Sequence, residues 1–221
     1  HPWGLEAALF VLAVLGMTFF GHLGQVYQTS SPLWQPLLAW LALFAPLLLL
    51  RGQSWLSAAL LFGTLAYIVW EYAGSAGHGL LDGQSRDALT VARVALVTAA
   101  PLLLAPLGAW MRGRSAREAF WKRLEQVAFA YTVGGASLVA IAAGLDRFDS
   151  GLLGLSAQSE RAGLAMAAGA FIVWARPGAS GRATGLAMAA AGLVCILAWL
   201  VSDSQLAGGV LFMALWAGIG A

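Results

Sequence analysis

Apolar residues run along this chain in long blocks rather than in strict alternation, and polar residues are gathered into the short stretches between them. A helix needs about 17 to 25 apolar residues to cross hydrocarbon, and eight blocks approach or meet that length. They are Leu5 to Leu23, Leu33 to Leu50, Trp55 to Tyr72, Ala88 to Met111, Leu124 to Leu145, Ser159 to Arg176, Ala183 to Val201 and Leu206 to Ala221. The sixth is short unless its polar ends are counted, and the eighth runs into the last residue. Helices satisfy their own backbone hydrogen bonds in lipid, so the pattern predicts an all-α, polytopic transmembrane helical bundle of about eight spans. It forms a single transmembrane domain over residues 1–221.

Several boundaries have local causes. Ser31 is suited to cap the second helix, with Pro32 in a first turn that needs no backbone donor, and Arg51 with Gly52 closes it. The second and third spans are therefore expected to form a tight hairpin. Pro101 and Pro106 fall inside the fourth block and predict a kink there. The later blocks contain "AGLAMAAGA" and "GLAMAAAGL", whose small residues let helices approach closely, within the chain or against a partner. Similarity between the first four blocks and the last four is too weak to assert a repeat.

Composition strengthens the membrane reading. Hydrophobic residues make up 60% of 221 and charged residues 10%, more apolar surface than a soluble domain of this size buries. A net charge of +2 does not point to a nucleic-acid partner. Basic residues instead mark topology. The loops after the second, fourth and sixth spans hold Arg51, then Arg112, Arg114, Arg117, Lys122 and Arg123, then Arg176 and Arg182, whereas the opposite loops hold Arg86, Arg147 and Arg161. Eight against three places both termini in the cytoplasm, with "GQVYQTSS" outside, as a multi-pass protein of a bacterial inner membrane. The chain opens on His1, Pro2 and Trp3, which reads as a fragment or processed form with a cytoplasmic segment expected upstream and a tail after Ala221. Its one cysteine, Cys195, allows no internal disulfide.

Polar residues near hydrocarbon are costly and mark candidate sites. On the outer side these are His22, Gln25, Tyr27 and Gln28, then Glu71 and Tyr72, His78 and Asp82 in a glycine-rich loop, and Arg93 in the fourth block. The candidate outer polar site is His22, Gln25, Tyr27, Gln28, Glu71 and Arg93, and a guanidinium as deep as Arg93 is expected to pair with Glu71 or Asp87, the alternatives being contact with a substrate or anion and snorkelling to lipid headgroups. On the inner side, "MRGRSAREAFWKRLEQ" offers Arg117, Lys122 and Arg123 as lipid-headgroup contacts, with Phe120, Trp121 and Leu124 expected in the interface. Trp3, Trp34, Trp55, Trp70, Trp110 and Trp121 lie near span ends and read as interfacial anchors. No zinc-ligand spacing surrounds His22 or His78, so neither a metal nor another cofactor is expected. "GGAS" at Gly134 to Ser137 has no histidine nearby in sequence, and no enzyme activity is expected.

Gly24, Gln25, Tyr27, Gln28, Trp40, Pro46 and Arg51 form a pattern that resembles the predicted bacterial membrane proteins of domain of unknown function 2157. The resemblance covers about the first 75 residues. It implies a cytoplasmic segment before the membrane region and carries no assigned reaction.

These features together point to a small-molecule or lipid-related transport or binding protein with an outer-facing polar site. The alternative is a structural or sensory module that docks proteins through its basic inner loop and its Gly/Ala-rich faces. Expected partners are membrane lipids and, through those faces, other membrane proteins or further copies of the chain. An intramembrane enzyme is the third reading, without a nucleophile and base to support it.

Overall fold

The apolar blocks fold as helices. The computed structural model of the chain describes residues 2–26, 32–74, 102–143, 155–201 and 204–220, and all regular structure within them is α-helical. In chain order the helices are α1 (Pro2–Val26), α2 (Trp34–Arg51), α3 (Trp55–Gly74), α4 (Leu104–Arg112), α5 (Glu118–Ala143), α6 (Leu155–Ala175), α7 (Ala179–Leu200) and α8 (Gln205–Gly220). Five of them, α1, α2, α3, α5 and α7, are long and apolar enough to cross a membrane. α8 is apolar but shorter, and α6 opens on the polar run Gln158, Ser159, Glu160 and Arg161.

Helix ends follow capping chemistry with some departures from expectation. Gly52 closes α2 in an extended conformation, its N–H donating to the Leu48 carbonyl at 2.8 Å. A Cβ there would stand 2.6 Å from both that oxygen and Ser57 Cβ, so glycine is needed for space rather than for an unusual φ. The hairpin of α2 and α3 is present, with the two helices packed together. At the other end of α2, Pro32 lies before the helix and Pro36 occupies the first turn, because Leu33 takes the cap position. The expected Ser31 cap lies outside the described residues. Pro106 sits in the first turn of α4, where it needs no backbone donor, and the helical backbone is interrupted just before it at Leu103. Pro101 lies outside the described residues. Beyond the first turn of α2, Pro46 lies in the helix interior.

α5 begins six residues before Leu124, and this changes the fate of its first turns. Phe120, Leu124 and Ala128 recur every four residues on one face and are buried in the core. Phe120 and Leu124 therefore do not lie in the interface as expected, and Trp121 is half-buried.

The small-residue blocks meet each other. Among the described residues, α6 and α7 make the most extensive helix pairing, and Gly169 and Gly185 face each other so closely that a Cβ on Gly169 would lie 2.4 Å from the Gly185 carbonyl oxygen. Gly192 likewise lies against Ala162 and Ala165. α5 is central and touches α3, α4, α7 and α8. One core joins α1 to α7 around Trp40, Phe62, Phe120 and Ile172, and a second gathers Val133, Ala136, Val194, Cys195 and Leu215. The Trp40 indole N–H donates to the Ala13 carbonyl at 2.8 Å, tying α2 to α1.

Outward faces are apolar. Leu12, Leu15 and Phe19 on α1, Leu43 and Leu50 on α2, and Leu186, Leu193 and Leu200 on α7 are exposed. In water such a surface would drive association, whereas hydrocarbon matches it. The whole is an all-α bundle with the character of a polytopic membrane protein.

Candidate functional site

Among the described residues, most of the charged side chains gather at one end of the bundle. The carboxylate of Glu6, in the second turn of α1, reaches the turn between α2 and α3 and caps α3. Its Oε1 accepts the backbone N–H groups of Gln53 and of Ser54, the latter at 3.2 Å, and its Oε2 accepts the hydroxyls of Ser54 at 2.6 Å and Ser57 at 2.8 Å. A carboxylate at a helix N-terminus satisfies orphan donors and complements the helix dipole. This cap comes from a residue nearly fifty positions away in the chain.

Beside it, Glu125 of α5 is held by two arginines. Its side chain is 3% exposed, Arg112 Nη1 donates to Oε2 at 2.8 Å, and Arg176 Nη1 donates to Oε1. Arg112 also approaches Glu118 at 3.6 Å, and Arg176 donates to the Ser180 hydroxyl. The triad thus joins the end of α4, the first half of α5 and the turn between α6 and α7. Gly108 allows this closeness, because a Cβ there would stand 3.0 Å from Glu125 Cβ. Arg117 reaches across to the Gly52 carbonyl and so locks the α4–α5 turn to the α2–α3 turn.

These links bring the three basic loops to the same end. With Arg51, Arg114, Lys122, Arg123 and Arg182 beside the groups just described, that end carries, among the described residues, eight basic residues and the acids Glu6, Glu118 and Glu125, a net +5.

A cavity of about 630 Å³ opens there. Leu5, Ala7, Trp55 and Leu56 form apolar walls, and Glu6, Gln53 and Ser54 lie beside Arg51 and Arg123 on its polar side. Arg123 lies over the Trp55 ring at 4.9 Å and donates to Gln126 Oε1 at 3.3 Å, which orients its guanidinium at the rim. Arg51 is exposed at the end of α2. Neither arginine has an ion pair among the described residues. The volume lies within the span usual for ligand pockets, about 300 to 1,000 Å³.

The residues expected to contact headgroups therefore divide. Arg123 lines the cavity, Lys122 is exposed outside its lining, and Arg117 is committed to the Gly52 carbonyl. Of the expected outer site, His22 is exposed on α1 and Glu71 is half-buried on α3, one turn after Tyr67. Gln25 belongs to α1, while Tyr27, Gln28 and Arg93 lie outside the described residues. Tyr72 packs edge-on against Trp34, with ring centroids 5.4 Å apart.

Another charged group was hidden in the sequence as a loop marker. Arg161 belongs to α6, about 9 Å along the axis from its first residue, and is only 8% exposed. Its guanidinium fills the notch left by Gly135, where a Cβ would lie 1.6 Å from Nη2, and its Nε has no hydrogen-bond partner among the described residues. "GGAS" supplies this notch, and its Ser137 hydroxyl donates to the Val133 carbonyl while accepting the Trp216 indole N–H at 3.1 Å. That serine serves as a helix contact between α5 and α8. Glu6 and Glu125 were not singled out either, though an acid within an apolar run is itself a signal that a partner is required. Comparison of the chain with protein-family models, curated proteins and solved structures finds no match.

Proposed function

We propose that the chain is a multi-pass membrane protein that binds a lipid-like amphiphile at the basic end of its bundle, with that end facing the cytoplasm. The observation that carries the reading is the cavity, whose walls are apolar and whose rim holds two arginines that have no acidic partner among the described residues. An amphiphile matches both surfaces, since its chain covers Leu5 and Leu56 while its polar head meets the rim. The excess of positive charge supports the orientation, because short basic loops are retained on the cytoplasmic side of bacterial inner membranes. The reading places the binding site at the end opposite the polar residues first singled out, and it asks nothing of the resemblance to domain of unknown function 2157.

Organic extraction of the detergent-purified chain tests it. A stoichiometric amphiphile is expected from the native chain and none from Ala7→Trp, which extends a large ring from the cavity wall while sparing both arginines. Equal recovery from the two proteins, with Ala7→Trp retaining native thermal stability, refutes the reading.

A further inference from the structure

We infer that the amphiphile taken by this cavity is an anionic phospholipid, its phosphate held between Arg51 and Arg123; the inference rests on the amphiphile reading above. The local charge decides the class. Glu6 is the acid in the lining, and both of its oxygens are already engaged by the N–H groups and hydroxyls that open α3. That carboxylate compensates the start of α3 rather than the arginines. The same engagement occupies the N–H groups of Gln53 and Ser54, so the helix terminus is not what receives an anion. Arg51 and Arg123 remain as the cations facing the cavity.

Arg123 is the better organised of the two. Its place over the Trp55 ring, 4.9 Å from the centroid, restrains the guanidinium, and the bond to Gln126 uses one of five donors. The remaining donors match the oxygens of a phosphate, which a guanidinium binds in a fork geometry. Arg51, at the end of the same turn that Gly52 closes, supplies a second charge with less restraint. Leu5, Ala7 and Leu56 continue the cavity as an apolar wall, which a free inorganic anion would leave uncovered. A lipid phosphate satisfies both parts of the site, and a net negative headgroup is preferred over a zwitterionic one whose cationic portion would meet the same arginines.

The test is native mass spectrometry of the full chain in detergent, titrated with phosphatidylglycerol and phosphatidylcholine of matched acyl chains. The native chain is expected to favour phosphatidylglycerol by about tenfold or more, and Arg51→Gln and Arg123→Gln each to reduce that preference about fivefold. Arg123→Lys is expected to recover part of the loss, and Lys122→Gln, outside the cavity lining, to leave the preference unchanged. Folding of each variant is read from its thermal transition. Undiminished preference in the folded Arg51→Gln and Arg123→Gln proteins overturns the inference, as does a Lys122→Gln effect of equal size. Displacement of the lipid by millimolar glycerol phosphate also overturns it, by identifying a free-anion site. If both lipids bind equally and Ala7→Trp removes both, the phosphate assignment fails while the amphiphile reading stands; if neither lipid binds, both fail.

Discussion

Replacing Gly185 with alanine tests the packing that organises the second half of the bundle. A Cβ at this position would lie 2.5 Å from the Gly169 carbonyl oxygen and 2.5 Å from Val173 Cγ2. Ordinary contact begins near 3.4 Å, so α6 and α7 must separate by close to 1 Å. A gap of 0.5 to 1 Å forfeits roughly a quarter to a half of each pairwise dispersion well, and overpacking of this kind costs about 1–3 kcal/mol. Because the Gly169 contact is backbone that cannot swing aside, the upper part of that range, about 2–3 kcal/mol, applies; alanine returns about 0.8–1 kcal/mol through helix propensity, which leaves a net loss of about 1–2 kcal/mol. Gly163, on α6 with nothing near its Cβ position, is the control: Gly163→Ala receives the propensity gain without the clash. For a chain of this length 1 kcal/mol corresponds to roughly 2–4 °C. Thermal unfolding in detergent, followed by intrinsic tryptophan fluorescence, is therefore expected to show Gly185→Ala about 2–8 °C below the native chain and Gly163→Ala at or above it. Gly169→Ala should behave as Gly185→Ala does, and the double variant should lose less than the sum, because the first Cβ already parts the helices. A Gly185→Ala transition at or above native, with Gly163→Ala unchanged or higher, refutes the close seam.

Further outcomes follow from the charged groups. Glu125→Ala leaves Arg112 and Arg176 facing each other, and breaking such a buried cluster costs about 3–5 kcal/mol; the lower end is expected here because both arginines retain some exposure. Replacing all three with methionine should restore most of that loss, which the same thermal assay measures. Glu6→Ala removes the cap on α3 and should cost about 1–2 kcal/mol, with faster hydrogen exchange confined to the first turn of α3. Gly135→Ala pushes Arg161 from its notch and should cost about 1–3 kcal/mol. That penalty should shrink in an Arg161→Met background, since the double-mutant cycle then removes the group that clashes.

Much of the architecture was legible because hydrocarbon imposes a simple code. Long apolar runs marked α1, α2, α3 and α7, and Arg51 with Gly52 marked the end of α2, since each signal is local to the helix concerned. The small residues of "AGLAMAAGA" and "GLAMAAAGL" announced a close approach, and Gly169 against Gly185 supplies it within the chain. The start of α5 was hidden because its first turns mix charge with core residues, as Phe120 and Glu125 illustrate, and average hydropathy hides the buried face. Arg161 was misplaced for a related reason: its environment is set by Gly135 on another helix. The same holds for the cavity, assembled from α1, the α2–α3 turn and α5, whose proximity no single segment encodes.

The cavity's occupant is tested most directly by a photoreactive amino acid placed at Leu56, within the lining, and separately at Leu138, on the exposed face of α5. After detergent exchange and irradiation, the account predicts a phospholipid adduct at Leu56 and none at Leu138. Equal adduct yields at the two positions, or an adduct at Leu138 alone, would contradict a retained lipid at the basic end.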